Sequence, residues 1–134
     1  MAEKGKSYAP VVLRLGMALV FLWFGVSQLL DASNWTGWLP EYAANLPLGA
    51  ETLVYLNGAF ETLFGSLLLL GLGTRLAAIL LSVHMAHIIS VVGYSEIGVR
   101  DFGIFVAAVA VALNGADKLS LDQRVRQKNE LETP

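Results

Sequence analysis

Apolar residues fill four long stretches of the chain, and polar residues gather at its ends and in the segments between. Residues 9–30 read APVVLRLGMALVFLWFGVSQLL, with Arg14 the only charge. Residues 52–72 read TLVYLNGAFETLFGSLLLLGL, with Glu61 the only charge. Residues 76–93, LAAILLSVHMAHIISVVG, contain no acid, lysine or arginine. A fourth apolar run, FGIFVAAVAVAL, covers residues 102–113. A bilayer core takes about 20 helical residues, so the first three stretches predict transmembrane helices directly. The fourth reaches that length only as residues 97–114, which carries Arg100 and Asp101 toward the headgroups.

The charge distribution points the same way. Of 9 Lys+Arg and 11 Asp+Glu, 11 lie in residues 1–8 and 115–134, leaving nine for the 106 residues between. A small water-soluble domain needs charge over its whole surface, because most of that surface is wet. The expected fold is therefore an all-α transmembrane four-helix bundle in a cell membrane. A net charge of −2 without a basic patch excludes a nucleic-acid binder. The absence of cysteine removes disulfides, thiolate metal sites and cysteine-bound clusters. The first stretch is too long for a signal peptide, contains Arg14 and lacks a small-x-small cleavage site, so it reads as a retained helix.

Basic residues orient the bundle. An N-in/C-in arrangement puts Lys4, Lys6, Arg14, Arg75, Lys118, Arg124, Arg126 and Lys128 inside and only Arg100 outside. The chain then divides into a cytoplasmic segment 1–8, a membrane domain 9–122 and a polar tail 123–134 that frays or forms a short surface helix. The first outer loop contains Trp35, Trp38 and Tyr42 among prolines, which suits a short interfacial helix: an aromatic anchor or a lid over the bundle mouth. Gly16, Gly25, Gly58, Gly65, Gly103, Ala108 and Ala112 provide small faces for close helix contact.

Ionisable groups at membrane depth are expensive and turn toward the bundle interior. Glu61 lies nine residues from one end of its span, and His84 lies nine residues from Arg75, so each sits roughly 13 Å deep. Asn57 shares a helix face with Glu61, one turn nearer the outside. Gln28 lies further out, and Arg100 is the one outer cation, within reach of Asp101, Glu96 or Glu61. Arg14 snorkels inward or pairs with Asp117. Three readings of the deep residues stay open. Asn57, Glu61 and His84 tie helices together. With Arg100 and Asp101 they form a quinone or small-ligand pocket with a proton relay. Or His84, His87 and Glu61 hold a metal, since His-x-x-His places two imidazoles on neighbouring turns.

Several short motifs occur in a fixed order: Arg14-Leu15-Gly16, Phe24-Gly25, Glu61 followed by Gly65, the turn from Gly71 to Ala78, Arg100-Asp101, and the closing run from Gly115 to Asp122. Over residues 10–122 the chain resembles the DoxX family of small four-span membrane proteins. The closing run departs from the family's usual second glycine near Asp117, and His84 and His87 are outside its pattern. The resemblance implies a subunit of a quinone-linked membrane oxidoreductase system, since the family is named after subunits associated with a terminal quinol oxidase and a thiosulfate:quinone oxidoreductase. It implies no specific catalytic residue. A non-catalytic assembly subunit and an oligomeric small transporter are the competing readings. Expected partners are the lipid bilayer and either another membrane subunit or further copies of the chain. No flavin or nicotinamide fingerprint is present, and two histidines on adjacent turns cannot sandwich a haem, so electrons would come from a partner.

Overall fold

The computed structural model describes residues 2–132, which form helices joined by turns and short loops, with no strand among them. Helix α1 spans Ala2–Leu30, α2 Ala50–Leu70, α3 Thr74–Val92, α4 Glu96–Asn114 and α5 Leu121–Glu132. Three of these, α1 from Tyr8 onward, α2 and α3, are long and apolar enough to cross a membrane. Helix α4 matches α3 at 19 residues but carries Glu96, Arg100 and Asp101 in its opening turns. The outer loop forms two 3-10 helices, Ala32–Trp38 and Glu41–Asn45, in place of one interfacial helix. Pro40 separates the two: its missing N–H cannot extend the first, and its carbonyl accepts from Ala43 N to open the second. Helix α1 begins before residue 9 and runs through Pro10, where only one backbone donor is lost.

Polar and apolar residues are inverted relative to a water-soluble domain. Leu19, Trp23, Leu63, Val83 and Phe102 are more than half exposed, whereas Arg14, Glu61 and Asp101 are at most 5% exposed. Exposed apolar surface of this extent favours lipid as the surrounding solvent.

Helices α1 and α2 are antiparallel and touch at backbone distance. A Cβ on Gly25 would lie 2.5 Å from Thr62 Oγ1 and 2.8 Å from the Gly58 carbonyl oxygen. A Cβ on Gly58 would lie 2.9 Å from Gln28 Cβ, and one on Gly65 would lie 3.2 Å from the Leu22 nitrogen. The seam therefore follows the small residues that the sequence offers. Met17, Phe21, Leu68, Leu81, Met85 and Val111 join all four long helices in one apolar core.

At the end of the helical body that carries the chain termini, Gly71 turns α2 into α3. Its φ of +68°, with Gly71 N donating to Leu68 O and Leu72 N to Leu67 O, makes a Schellman cap. The Asp122 carboxylate accepts from Gly73 N and Thr74 N, both at 2.8 Å, and caps the start of α3. Beside it, Arg14 pairs with Asp117 and donates to the carbonyls of Leu68 and Leu69, joining α1, α2 and the α4–α5 turn.

Candidate functional site

The α1–α2 seam determines where the first polar cluster forms. Because neither Gly25 nor Gly58 carries a side chain, Gln28 is drawn against α2. Asn57 Nδ2 donates to Gln28 Oε1 at 2.7 Å, and Gln28 Nε2 donates to Glu61 Oε2 at 3.0 Å. The other carboxyl oxygen, Glu61 Oε1, lies 3.0 Å from His84 Nε2 on α3. One continuous hydrogen-bonded row thus crosses three helices.

Its burial is graded. The Glu61 side chain is 4% exposed and that of His84 is 14% exposed. Phe60 lies against the imidazole with ring centres 5.0 Å apart, and Phe64 packs on Phe60 at 4.6 Å. A buried carboxylate without a donor or cation is strongly disfavoured. Here Gln28 supplies a donor on one oxygen and His84 supplies either a donor or a proton acceptor on the other. Two proton arrangements share the same heavy-atom positions: a carboxylate accepting from Nε2–H, or a carboxylic acid donating to bare Nε2. A proton can cross between them without moving either side chain.

Arg100 and Asp101 form a separate pair. Arg100 Nη2 lies 2.7 Å from Asp101 Oδ1, and Nε donates to the same oxygen at 2.8 Å. Of the three acids within reach by sequence, Arg100 pairs with Asp101, not Glu61. Its guanidinium also sits 5.9 Å from the centre of the Phe24 ring, within an aromatic group that includes Trp23 and Trp35. Phe24 precedes Gln28 by one helical turn, so the two polar groups share one end of α1.

The proposed metal trio does not assemble. His84 Nε2 engages Glu61, whereas His87 Nε2 lies 2.7 Å from the Tyr42 hydroxyl on the second 3-10 helix. Among the described residues no three histidine or carboxylate side chains converge as metal ligands. Three residues advance the helix by slightly less than one turn, and this points the two imidazoles at different neighbours. Arg14 does pair with Asp117, one of the two roles open to it from sequence.

The sequence places Gln28 in the outer half of its span and Tyr42 in the loop's aromatic group, and assigns neither to the pocket or the metal set. An amide in an apolar helix, one turn from a glycine that must meet a neighbour, is the signal for Gln28. Tyr42 has no comparable signal, because its contact depends on the path of the loop.

The DoxX family profile matches residues 9–94, which cover α1 from residue 9 onward, α2 and α3 with Gln28, Asn57, Glu61 and His84. The chain belongs to the DoxX family. Comparison with curated proteins and with solved structures yields no match. Arg100, Asp101 and the closing run from Gly115 to Asp122 lie beyond the matched stretch.

Proposed function

We propose that this protein is a subunit of a quinone-linked membrane oxidoreductase system, in which Glu61 and His84 hold and pass a proton beside a quinone headgroup. Reducing a quinone to a quinol takes two electrons and two protons. This chain's side chains suit the proton half of that exchange, and a partner protein supplies the electrons. The observation that carries the reading is the 3.0 Å contact between a buried carboxyl and an imidazole that keeps some exposure. Family membership adds to it. Gln28 and Asn57 fix the carboxyl's orientation, and Phe60 offers a flat apolar face beside His84. Arg100 and Asp101 form a nearly neutral pair near the same end of α1, against Phe24.

In this reading α4 is the fourth span of a four-helix bundle, with both chain ends in the cytoplasm, as the eight-to-one split of basic residues favours. The two 3-10 helices then lie at the outer membrane interface, where Trp35, Trp38 and Tyr42 anchor them.

The test is binding of a quinone analogue to the purified protein. Glu61→Gln and His84→Ala should each weaken binding by roughly tenfold, the loss of one charged or strong hydrogen bond. Equal affinity in parent and variants contradicts the proposal. One observation favours the assembly-subunit reading instead: both Glu61 oxygens already have partners within the chain. That reading predicts that the same variants lose stability or a co-purifying subunit, with quinone affinity unchanged.

A further inference from the structure

Helix α5 is short and polar overall, yet its apolar residues share one face with two of its cations. Leu121, Arg124, Val125 and Lys128 stand at i, i+3, i+4 and i+7, and Leu131 continues the stripe, with Glu132 at its last register position. Asp122, Arg126, Asn129 and Glu130 occupy the other side. There Arg126 Nε lies 3.3 Å from Glu130 Oε1, and the Asp122 carboxylate is held by α3. Leu121 is 37%, Val125 55% and Leu131 87% exposed. The preceding turn extends the exposed surface with Leu119, about half exposed, and with Lys118, whose ammonium lies over the half-exposed Tyr8 ring.

The attachment of α5 fixes the height of its first turn. Besides the Asp122 cap on α3, Asp122 N donates to Gly71 O at 2.9 Å. The helix therefore starts level with the α2–α3 turn, where two apolar helices end. In a bilayer this is the headgroup layer at the end that carries the chain termini.

We propose that the stripe Leu121–Arg124–Val125–Lys128, with Lys118, is a docking surface for the anionic phospholipid headgroups of that leaflet. The leucines and Val125 would reach the acyl boundary while Arg124 and Lys128 extend along it to lipid phosphates. Asp122 and Glu130 lie on the other side of the helix, away from the lipid, and Glu132 alone of the acids shares the register of the stripe. The surface needs no quinone chemistry, so it stands or falls independently of the proposed function.

The natural chain has no cysteine, which allows site-specific labelling without background. The full-length protein would carry a nitroxide through Val125→Cys or, on a different face, through Gln127→Cys. Each form would be placed in nanodiscs of phosphatidylcholine alone or of phosphatidylcholine with phosphatidylglycerol. Collision rates with oxygen and with a water-soluble nickel chelate report depth. The expected result is a position-125 label in the lipid boundary only when anionic lipid is present. The two cations predict a shift of roughly thirtyfold in the ratio of docked to undocked helix. Arg124→Gln with Lys128→Gln should abolish the shift, as should high salt. The label at 127 should stay aqueous throughout. Equal water access at 125 in both nanodiscs overturns the proposal. So does equal burial in both, which would mean apolar contact without headgroup recognition.

Discussion

Arg14 and Asp117, 103 positions apart in sequence, close the termini-bearing end of the molecule through a buried ion pair. Arg14 also donates to the Leu68 and Leu69 carbonyls in the last turn of α2, where Leu68 O accepts from Gly71 N as well. The pair thus neutralises a charge inside apolar surroundings and completes a helix terminus. Removing one partner strands the other, which typically costs about 3–5 kcal/mol. Asp117→Asn and Arg14→Gln should each lower the unfolding midpoint strongly in detergent. The double variant should lose clearly less than the sum. An additive double-mutant cycle would contradict a direct pairing.

Acid sensitivity follows from the same region. Burial raises the Asp117 carboxyl, but the Arg14 guanidinium and the Leu119 N–H outweigh it and hold it below its ordinary 3.8. Asp122 behaves alike: burial raises it, and the N–H groups of Thr74 and Gly73 bring it below 3.8. A carboxyl lowered by folding contributes stability that is fully present above its unfolded value. That stability is lost as pH falls through the folded value. Stability should therefore be flat with respect to these groups near neutrality and decline below about pH 4. Asp122→Asn should flatten the decline. Denaturation midpoints measured across this pH range would check it, and an unchanged slope in the variant would count against the assignment.

The α1–α2 seam predicts a sharp contrast among glycines. Gly25→Ala places a methyl 2.5 Å from Thr62 Oγ1 and 2.6 Å from the Thr62 nitrogen, so the helices must separate. Overpacking of this kind typically costs about 1–3 kcal/mol. Separation also pulls Gln28 from Asn57 and Glu61, so the site should loosen along with the fold. A Cβ on Gly103 meets nothing within 4 Å, and Gly103→Ala in the middle of α4 should stabilise by about 0.5–1 kcal/mol, because alanine is the better helix former. Thermal unfolding of the two variants side by side tests the contrast. Equal stability would mean the seam is not close-packed.

An exposed hydrogen-bond contact joins Tyr42 of the outer loop to His87 on α3. An exposed hydrogen bond adds little to global stability. Tyr42→Phe should therefore leave the unfolding midpoint nearly unchanged while amide exchange in Glu41–Asn45 accelerates. Unchanged exchange in that segment would show that other contacts hold the loop.

The sequence carries much of this architecture because lipid imposes a simple rule: long apolar runs become helices, and rare polar groups turn inward. The depths of Glu61 and His84 could be counted from the span ends, and Asn57 followed from its four-residue spacing. The bridging role of Gln28 could not be counted, because it depends on two glycines removing the space between helices. Arg100 had three acids within reach, and only tertiary geometry chooses Asp101. His87 looked like a ligand because His-x-x-His is a spacing on one helix, yet the loop supplies Tyr42 and draws it away. The division of the loop into two short helices reflects Pro40, whose missing donor is a local effect that composition alone does not weigh.

The most direct test of the central claim, that Glu61 and His84 exchange a proton beside a quinone, is infrared difference spectroscopy of the protein in lipid. The carboxyl band assigned by its loss in Glu61→Gln would be followed as a bound quinone is reduced. The account predicts a shift or change in intensity of that band on reduction, and a smaller one in His84→Ala. A Glu61 band that stays constant while quinone binds and is reduced would contradict it.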